Sequence, residues 1–534
     1  MTFTSITFFA FVLLTLILYY AMPKKIRWVI LLLASVVFYS LCSLKYIAFI
    51  VFTALSTYLC AGWIDSISRK TKLKVKAKKA EWSREEKKAF KDKATTKKRL
   101  IIALVLVVNF GILFVLKYYN FLSGSLATLL NSIGLNVSFP TLGLLLPLGI
   151  SFYTFQTMGY IIDVYREKTP AETNFFKFFL FVSFFPQIVQ GPISVYDDLA
   201  PQLYEGHKLE YKNIKYGFEL IIWGLFKKMV IADRLVGPMN TILHDKSKFG
   251  GEFILLAVLI YSIQLYMDFS GGIDVARGVA QMLGINLTEN FKRPYFSKTI
   301  GEYWRRWHIS LGAWMKNYVF YPITMSKGFL KLGQKTKKSL GRNIGKALPG
   351  SIATFIVFML IGIWHGANWK YVGFGLWNGL ILFISNLFQA PIASLSAKLK
   401  IRTKSFSFRI IQMIRTFIIV LIGYYFDIAD SFKDALVMIK RSVTDLHLGN
   451  WTEPKCFENI GFTAFDGYIL AFSLLVVFVF SLYQEKKQIQ VRDFLEDQSI
   501  WFQWAVLLIG LMSVIIFGVY GPGTSASEFV YMQF

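Results

Sequence analysis

Apolar stretches of membrane-spanning length recur along nearly the whole of this 534-residue chain, and they exclude most of the folds open to it. A helix needs about 17 to 25 predominantly apolar residues to cross a bilayer, and in hydrocarbon only a helix or a closed barrel satisfies its own backbone. Such stretches lie near residues 4–22, 26–42, 46–64, 100–117, 143–161, 175–193, 216–232, 252–269, 347–366, 371–389, 408–426, 466–483 and 501–519. Pro147 and Gly149 interrupt the fifth, and Pro186 and Gln187 the sixth. The expected number of spans is therefore about eleven to fourteen. A hydrophobic fraction of 55%, an aromatic fraction of 17% and a mean hydropathy of +0.48 are too apolar for a soluble globular protein. The expected fold is an all-α polytopic integral membrane protein, with re-entrant or horizontal helices beside the spans.

A net charge of +27 would suggest a nucleic-acid partner if it were spread over a soluble surface, but here it sits in the loops. From Arg69 to Arg99 fifteen basic residues stand against four acidic ones, and from Lys327 to Lys346 seven stand against none. Basic residues next to spanning helices mark the cytoplasmic side, so no nucleic-acid role is expected. Three spans precede the first basic loop, which puts the amino terminus outside. The same alternation places Lys227–Arg234, Lys398–Arg409 and Lys486–Arg492 inside. It holds past residue 270 only if 271–346 crosses an odd number of times without a clean apolar run, as a broken or re-entrant passage would.

By composition and motif the chain divides into amino-terminal helices with a basic arm (1–100), a central core (101–390) and carboxy-terminal helices (391–534). The first apolar run lacks preceding basic residues and a small-residue cleavage site, and is expected to be a retained helix. Cys42, Cys60 and Cys456 have no metal-ligand spacing. The arm from Lys72 to Arg99 is rich in helix formers and is expected to be helical, serving either anionic lipid or an acidic cytosolic partner.

Candidate chemistry gathers between Glu302 and Asn378. Of five histidines, three lie in polar loops: His207, His244 and His447. The others, His308 in YWRRWHISLGAW and His365 in IGIWHGANW, lie in apolar, tryptophan-rich surroundings. An ionisable group at membrane depth is costly and marks a functional site by default, and imidazole exchanges a proton near neutral pH. Beside Arg305 and Arg306 two readings stay open: recognition of phosphate or carboxylate by their fork geometry, or structural ion pairing. In FFPQIVQGPI, Gln187 and Gln190 either satisfy backbone freed by the prolines or meet substrate. Asp268, Ser270, Asp274 and Arg277 follow a clean span, and Asp274 and Arg277, three apart, are placed to pair.

The runs DFSGGIDVARG, ENFKRPYFSKTIGEYWRRWHISLGAWMKNYVFYPI and IGIWHGANWKYVGFGLWNG closely resemble the membrane-bound O-acyltransferases, in the branch of the bacterial alginate O-acetyltransferases. The resemblance spans roughly residues 100–389. It implies helices around a central tunnel, with His365 deep within it as general base on the attacking hydroxyl, or as a transient acyl-histidine, and His308 as the second histidine. The candidate substrate contacts are Arg305, Arg306, Trp307, Trp364, Asn368, Asp268 and Gln190. No bound cofactor or metal is expected, the donor being acetyl-CoA or another acyl thioester. The implied partners are an exported polysaccharide, a separate extracytoplasmic SGNH-like acyltransferase, a possible cytosolic acyl carrier and the lipids of a bacterial cytoplasmic membrane. Two stretches depart from the alginate pattern, TMSKGFLKLGQKTKKSLGRN and GYYFDIADSFKDAL, and they bear on acceptor and partner. D-alanyl transfer to teichoic acid is the alternative within the family. A transporter or flippase is the alternative outside it, but its internal repeats are missing.

Overall fold

A computed structural model describes residues 2–143, 146–447, 449 and 456–520, so that positions 144 and 145 of the fifth expected span lie outside the described residues. All regular structure among the described residues is helical. The chain forms two units, which cut it differently from the three segments read from composition. One holds Met1–Phe218 and Ala276–Thr288, the other Glu219–Val275 and Glu289–Phe534.

The first unit begins with α1 (Ile6–Ala21), α2 (Arg27–Ser43) and α3 (Ile47–Ala77), followed by the 49-residue α4 (Arg84–Ser132). Helix α4 starts where it does because Ser83 and Glu86 form a capping box: the Ser83 hydroxyl accepts from the Glu86 amide and the Glu86 carboxylate accepts from the Ser83 amide at 2.7 Å. The facing ends of α3 and α4 are thus the expected helical arm. Its base is tied to the next loop by Glu167, which receives Lys72 and the buried Lys98, each at 2.8 Å. Those two ammonium groups hold the Glu167 carboxyl down at about 2.

Further along, α5 (Ile150–Tyr165) is buried along almost its full length. The sixth expected span is two short helices, α6 (Phe175–Ser183) and α7 (Phe185–Ile188), broken at Phe184 just before Pro186. Proline cannot donate to the preceding turn, and the freed groups find other partners. The Phe185 amide donates to Ser35 Oγ (3.1 Å), and the Phe181 carbonyl accepts from Gln156 Nε2 (2.8 Å). Neither Gln187 nor Gln190 fills that role. Gln187 donates to Gln156 instead (2.8 Å). Helices α8 (Tyr196–Glu205) and α9 (Tyr211–Leu225) follow, the latter ending in the second unit.

In the second unit the seventh expected span continues from α9 as a π-helical stretch, Phe226–Ala232, and then α10 (Asp233–His244). The wider turn brings the buried Lys227 and Lys228 toward α11 (Gly251–Met282). After the loop come α12 (Ile300–Arg306) and α13 (Ile309–Met315), then α14 (Tyr321–Thr324) and α15 (Lys327–Ser339). The unit is completed by α16 (Gly341–His365), α17 (Trp369–Lys398), α18 (Phe406–Ile428), α19 (Phe432–Thr444), α20 (Ala464–Lys487), α21 (Val491–Glu496) and α22 (Ile500–Phe517). Nine helices among the described residues are long and apolar enough to cross a bilayer. The first, fifth, sixth and seventh expected stretches are not among them: the first, fifth and sixth are short or broken, and the seventh changes to π-helical winding at Phe226. Region 271–346, read as broken, consists of the end of α11 and short helices.

Candidate active site

His308 is placed by its backbone. Residue Trp307 is extended and His308 itself adopts the left-handed conformation (φ 45°, ψ 56°), which ends α12 and starts α13 one residue later. Left-handed backbone is uncommon for a side chain with a Cβ, though histidine tolerates it better than most. The bend is pinned by Asn290, which is fully buried. Its carbonyl accepts from the Ile309 amide (3.0 Å) and its Oδ1 from the Ser310 amide (2.8 Å), so two of the first free N–H groups of α13 are satisfied. Nothing in the sequence pattern marked Asn290, since its partners lie across a loop.

His365 is placed by a helix hairpin. It is the last residue of α16. Gly366 is extended, and Asn368 then caps α17 with its side chain accepting from the Lys370 amide (3.0 Å). The two helices lie so close that a Cβ on Gly362 would stand 2.5 Å from the Tyr371 carbonyl oxygen and 2.7 Å from Gly375 Cα. Only glycine fits there. The half-buried His365 ring lies among Trp364 (5.4 Å between centroids), Phe374 (5.1 Å) and Tyr371 (6.3 Å).

Trp364 joins the two histidines. The His308 ring is 6.1 Å from the same indole and meets Phe269 edge-on at 5.0 Å, and the two imidazoles lie within electrostatic reach of each other. Trp304 closes the wall, packing on Phe358 (5.1 Å) and on Phe374 (6.1 Å), the ring that also touches His365. Its buried indole Nε1 has no hydrogen-bond partner among the described residues, which leaves one donor beside the pair. The arrangement is two proton-exchanging groups in an apolar, aromatic enclosure. A neutral imidazole in such an enclosure can take a proton from a bound hydroxyl.

Several expected contacts have other duties. Arg306 is committed to carboxylates: it binds Glu485 through two nitrogens at 2.9 Å each and Glu302 at 2.7 Å, while Arg293 reaches Glu485 at 2.9 Å. These are the ion pairs that the structural reading expects. Arg305 is exposed and lies over Gly301. Trp307 is buried in an aromatic cluster with Tyr303 (5.6 Å), Phe291 (5.0 Å) and Tyr266 (6.0 Å), and it supports the wall from behind. Asn368 spends its side-chain oxygen on the helix cap. Asp268 is fully buried and bound to Lys228, which also holds Asp233 at 2.9 Å, so its carboxylate is paired within the protein. Asp274 pairs with Lys227 at 2.8 Å, and Lys227 also donates to Ser270 Oγ (2.9 Å). Buried charges need such partners, and losing one leaves the other costly. Gln190 belongs to the first unit, where it is fully buried and neither amide atom has a hydrogen-bond partner among the described residues.

A multi-pass helical membrane protein with two imidazoles in an aromatic enclosure has groups that can carry out proton transfer within a membrane. Residues 167–336, which include His308, match the membrane-bound O-acyltransferase family. The chain is 34% identical to the probable alginate O-acetylase AlgI of Pseudomonas syringae pv. tomato, over 79% of this chain and 71% of that protein. It is 31% identical to the peptidoglycan O-acetyltransferase of Helicobacter pylori over 65% of each. It is 32% identical to the teichoic acid D-alanyltransferase of Bacillus subtilis, over 45% of this chain and 59% of that protein. The chain belongs to the membrane-bound O-acyltransferase family and is an O-acyltransferase. The transporter reading falls with that finding.

Proposed function

We propose that this enzyme passes an acetyl group from a cytoplasmic thioester, acetyl-CoA or an acyl carrier, to the O-acetylation of an exported or cell-wall polysaccharide at a bacterial cytoplasmic membrane. What carries the reading is the meeting of His308 and His365 on one indole, from elements far apart in the sequence. His365 removes the proton from the attacking hydroxyl, the oxygen adds to the thioester carbonyl, and collapse of the adduct expels the thiolate, which takes up the proton. His308 orients the acyl carbonyl. A two-step course through an acyl-imidazole uses the same residues and balances in the same way. Support for acetate over D-alanine comes from the extent of the likeness: the alginate relative matches 79% of this chain and the D-alanyl relative 45%. A separate extracytoplasmic SGNH-like protein would complete the transfer to the polymer.

The test is release of ester-linked acetate from exported polysaccharide by mild alkali. Cells lacking the protein are complemented with wild type or with His365→Ala at equal abundance. Wild type restores the acetate, and the variant falls short by a hundredfold or more, roughly the share of a general base. An unchanged acetate level with a fall in ester-linked D-alanine moves the assignment to teichoic acid.

A further inference from the structure

We infer that the side-chain amide of Asn290 and the indole of Trp304 are the hydrogen-bond donors that receive the acyl carbonyl oxygen during transfer. The inference rests on the acyl-transfer reading and deepens it, by naming the groups that meet the charge formed on that oxygen.

Asn290 lies in the loop before α12. There the Lys292 amide donates to the Arg306 carbonyl (2.9 Å) and the Ile309 amide to the Asn290 carbonyl (3.0 Å), so the loop runs alongside the bend that carries His308. The Ser310 amide can only donate, so the side-chain atom it meets at 2.8 Å is Oδ1, and the other atom is Nδ2. Bonded to the same carbon, Nδ2 lies within roughly 5 Å of the Ser310 nitrogen, two residues past His308. Asn290 is 0% exposed, and Nδ2 is buried with no hydrogen-bond partner among the described residues. The neighbouring rings are apolar: Phe291 packs on Phe269, which in turn meets His308. A carboxylate would accept from the Ser310 amide at least as well, so holding the bend does not call for an amide. What the amide adds is a donor, and a buried donor without an acceptor is destabilising in the resting protein.

Trp304 is the second such donor. It stands on α12 four residues before His308, and its carbonyl oxygen would lie 3.7 Å from a Cβ on Gly312 of α13. Its indole N–H can only donate, and Nε1 is buried without a partner among the described residues. The ring packs on Phe374, which also touches His365. One unmatched donor therefore belongs to the His308 side of the enclosure and one to the His365 side. A thioester carbonyl oxygen has two lone pairs and takes a negative charge when the hydroxyl adds to its carbon. Fixed N–H groups in an apolar site stabilise that charge most, because they need not reorient as it forms. Neither group gives up its proton: the C=O bond re-forms as the thiolate leaves, and both donors return to their resting state.

The experiment measures ester-linked acetate and ester-linked D-alanine on exported polymer, in deletion cells complemented with full-length wild type, His365→Ala, Asn290→Asp, Asn290→Ala or Trp304→Phe. Abundance and thermal unfolding of each protein are measured beside them. Asn290→Asp keeps the acceptor for Ser310 and loses the donor. Trp304→Phe keeps an aromatic ring in the wall and loses the N–H without adding a charge. Both are expected to accumulate as wild type does and to unfold within a few degrees of it, with ester per molecule about a hundredfold lower, the share of one such donor. Asn290→Ala also frees the Ser310 amide, and its expected lower melting temperature sets the scale of a structural loss. Should Asn290→Asp not accumulate, Trp304→Phe decides alone. Either variant forming ester at the wild-type level, or losing it only in step with abundance, overturns the inference while wild type and His365→Ala still differ. If neither ester depends on the protein, the acyl-transfer reading falls and this inference with it.

Discussion

His308 occupies backbone space that most side chains avoid, and this separates its conformational role from its chemical one. Alanine in the left-handed region costs about 1 kcal/mol, whereas asparagine and glycine accept it with little penalty. His308→Asn is therefore expected to melt within about 1 kcal/mol of wild type and yet lose at least about tenfold in ester formation, while His308→Ala loses both. Thermal unfolding of the purified protein beside the acetate assay checks this. An active His308→Asn would reduce the residue to a backbone device. Both histidines were legible in the sequence because an imidazole amid tryptophans in an apolar run is conspicuous. The ion pairs of Asp268 and Arg306 were not legible for the opposite reason: their partners, Lys228 and Glu485, lie 40 and 179 positions away, where no local pattern reaches.

The hairpin of α16 and α17 is the element on which the site depends, since it carries Trp364, His365, Tyr371 and Phe374 together. Its closeness rests on Gly362, whose missing Cβ lets backbone meet backbone. Gly362→Ala must push the helices apart at a cost of about 1 to 3 kcal/mol. A shift of about 1 Å at His365 is enough to cost a hundredfold in rate. Gly350→Ala, in the same helix with nothing within 4 Å of the added carbon, is the control and is expected to leave stability and ester formation unchanged. The tryptophans and glycines of this hairpin could be read in the sequence, but not which glycine is the contact, because that depends on the register between two helices.

For the whole molecule, the basic loops predict an orientation that can be checked directly. With Cys42, Cys60 and Cys456 replaced, a membrane-impermeant maleimide applied outside intact cells is expected to label Ser132→Cys and spare Lys88→Cys, with both labelled after lysis. The opposite pattern inverts the topology and places the arm outside. The sequence by itself determined the class of the protein, its spanning helices, the helical arm and the two histidines. Each of these is written in a contiguous stretch, as an apolar run, a charge run or a motif, and burial or exposure of such a stretch follows from its own composition. Only the tertiary structure decided that three apolar stretches are short or broken, that Arg306 and Asp268 pair with distant partners, and that the histidines share one indole. Those outcomes depend on which side chains packing brings within a few ångströms. In a medium where every buried polar group must find a partner, such pairings belong to the assembled fold and not to any segment of the chain.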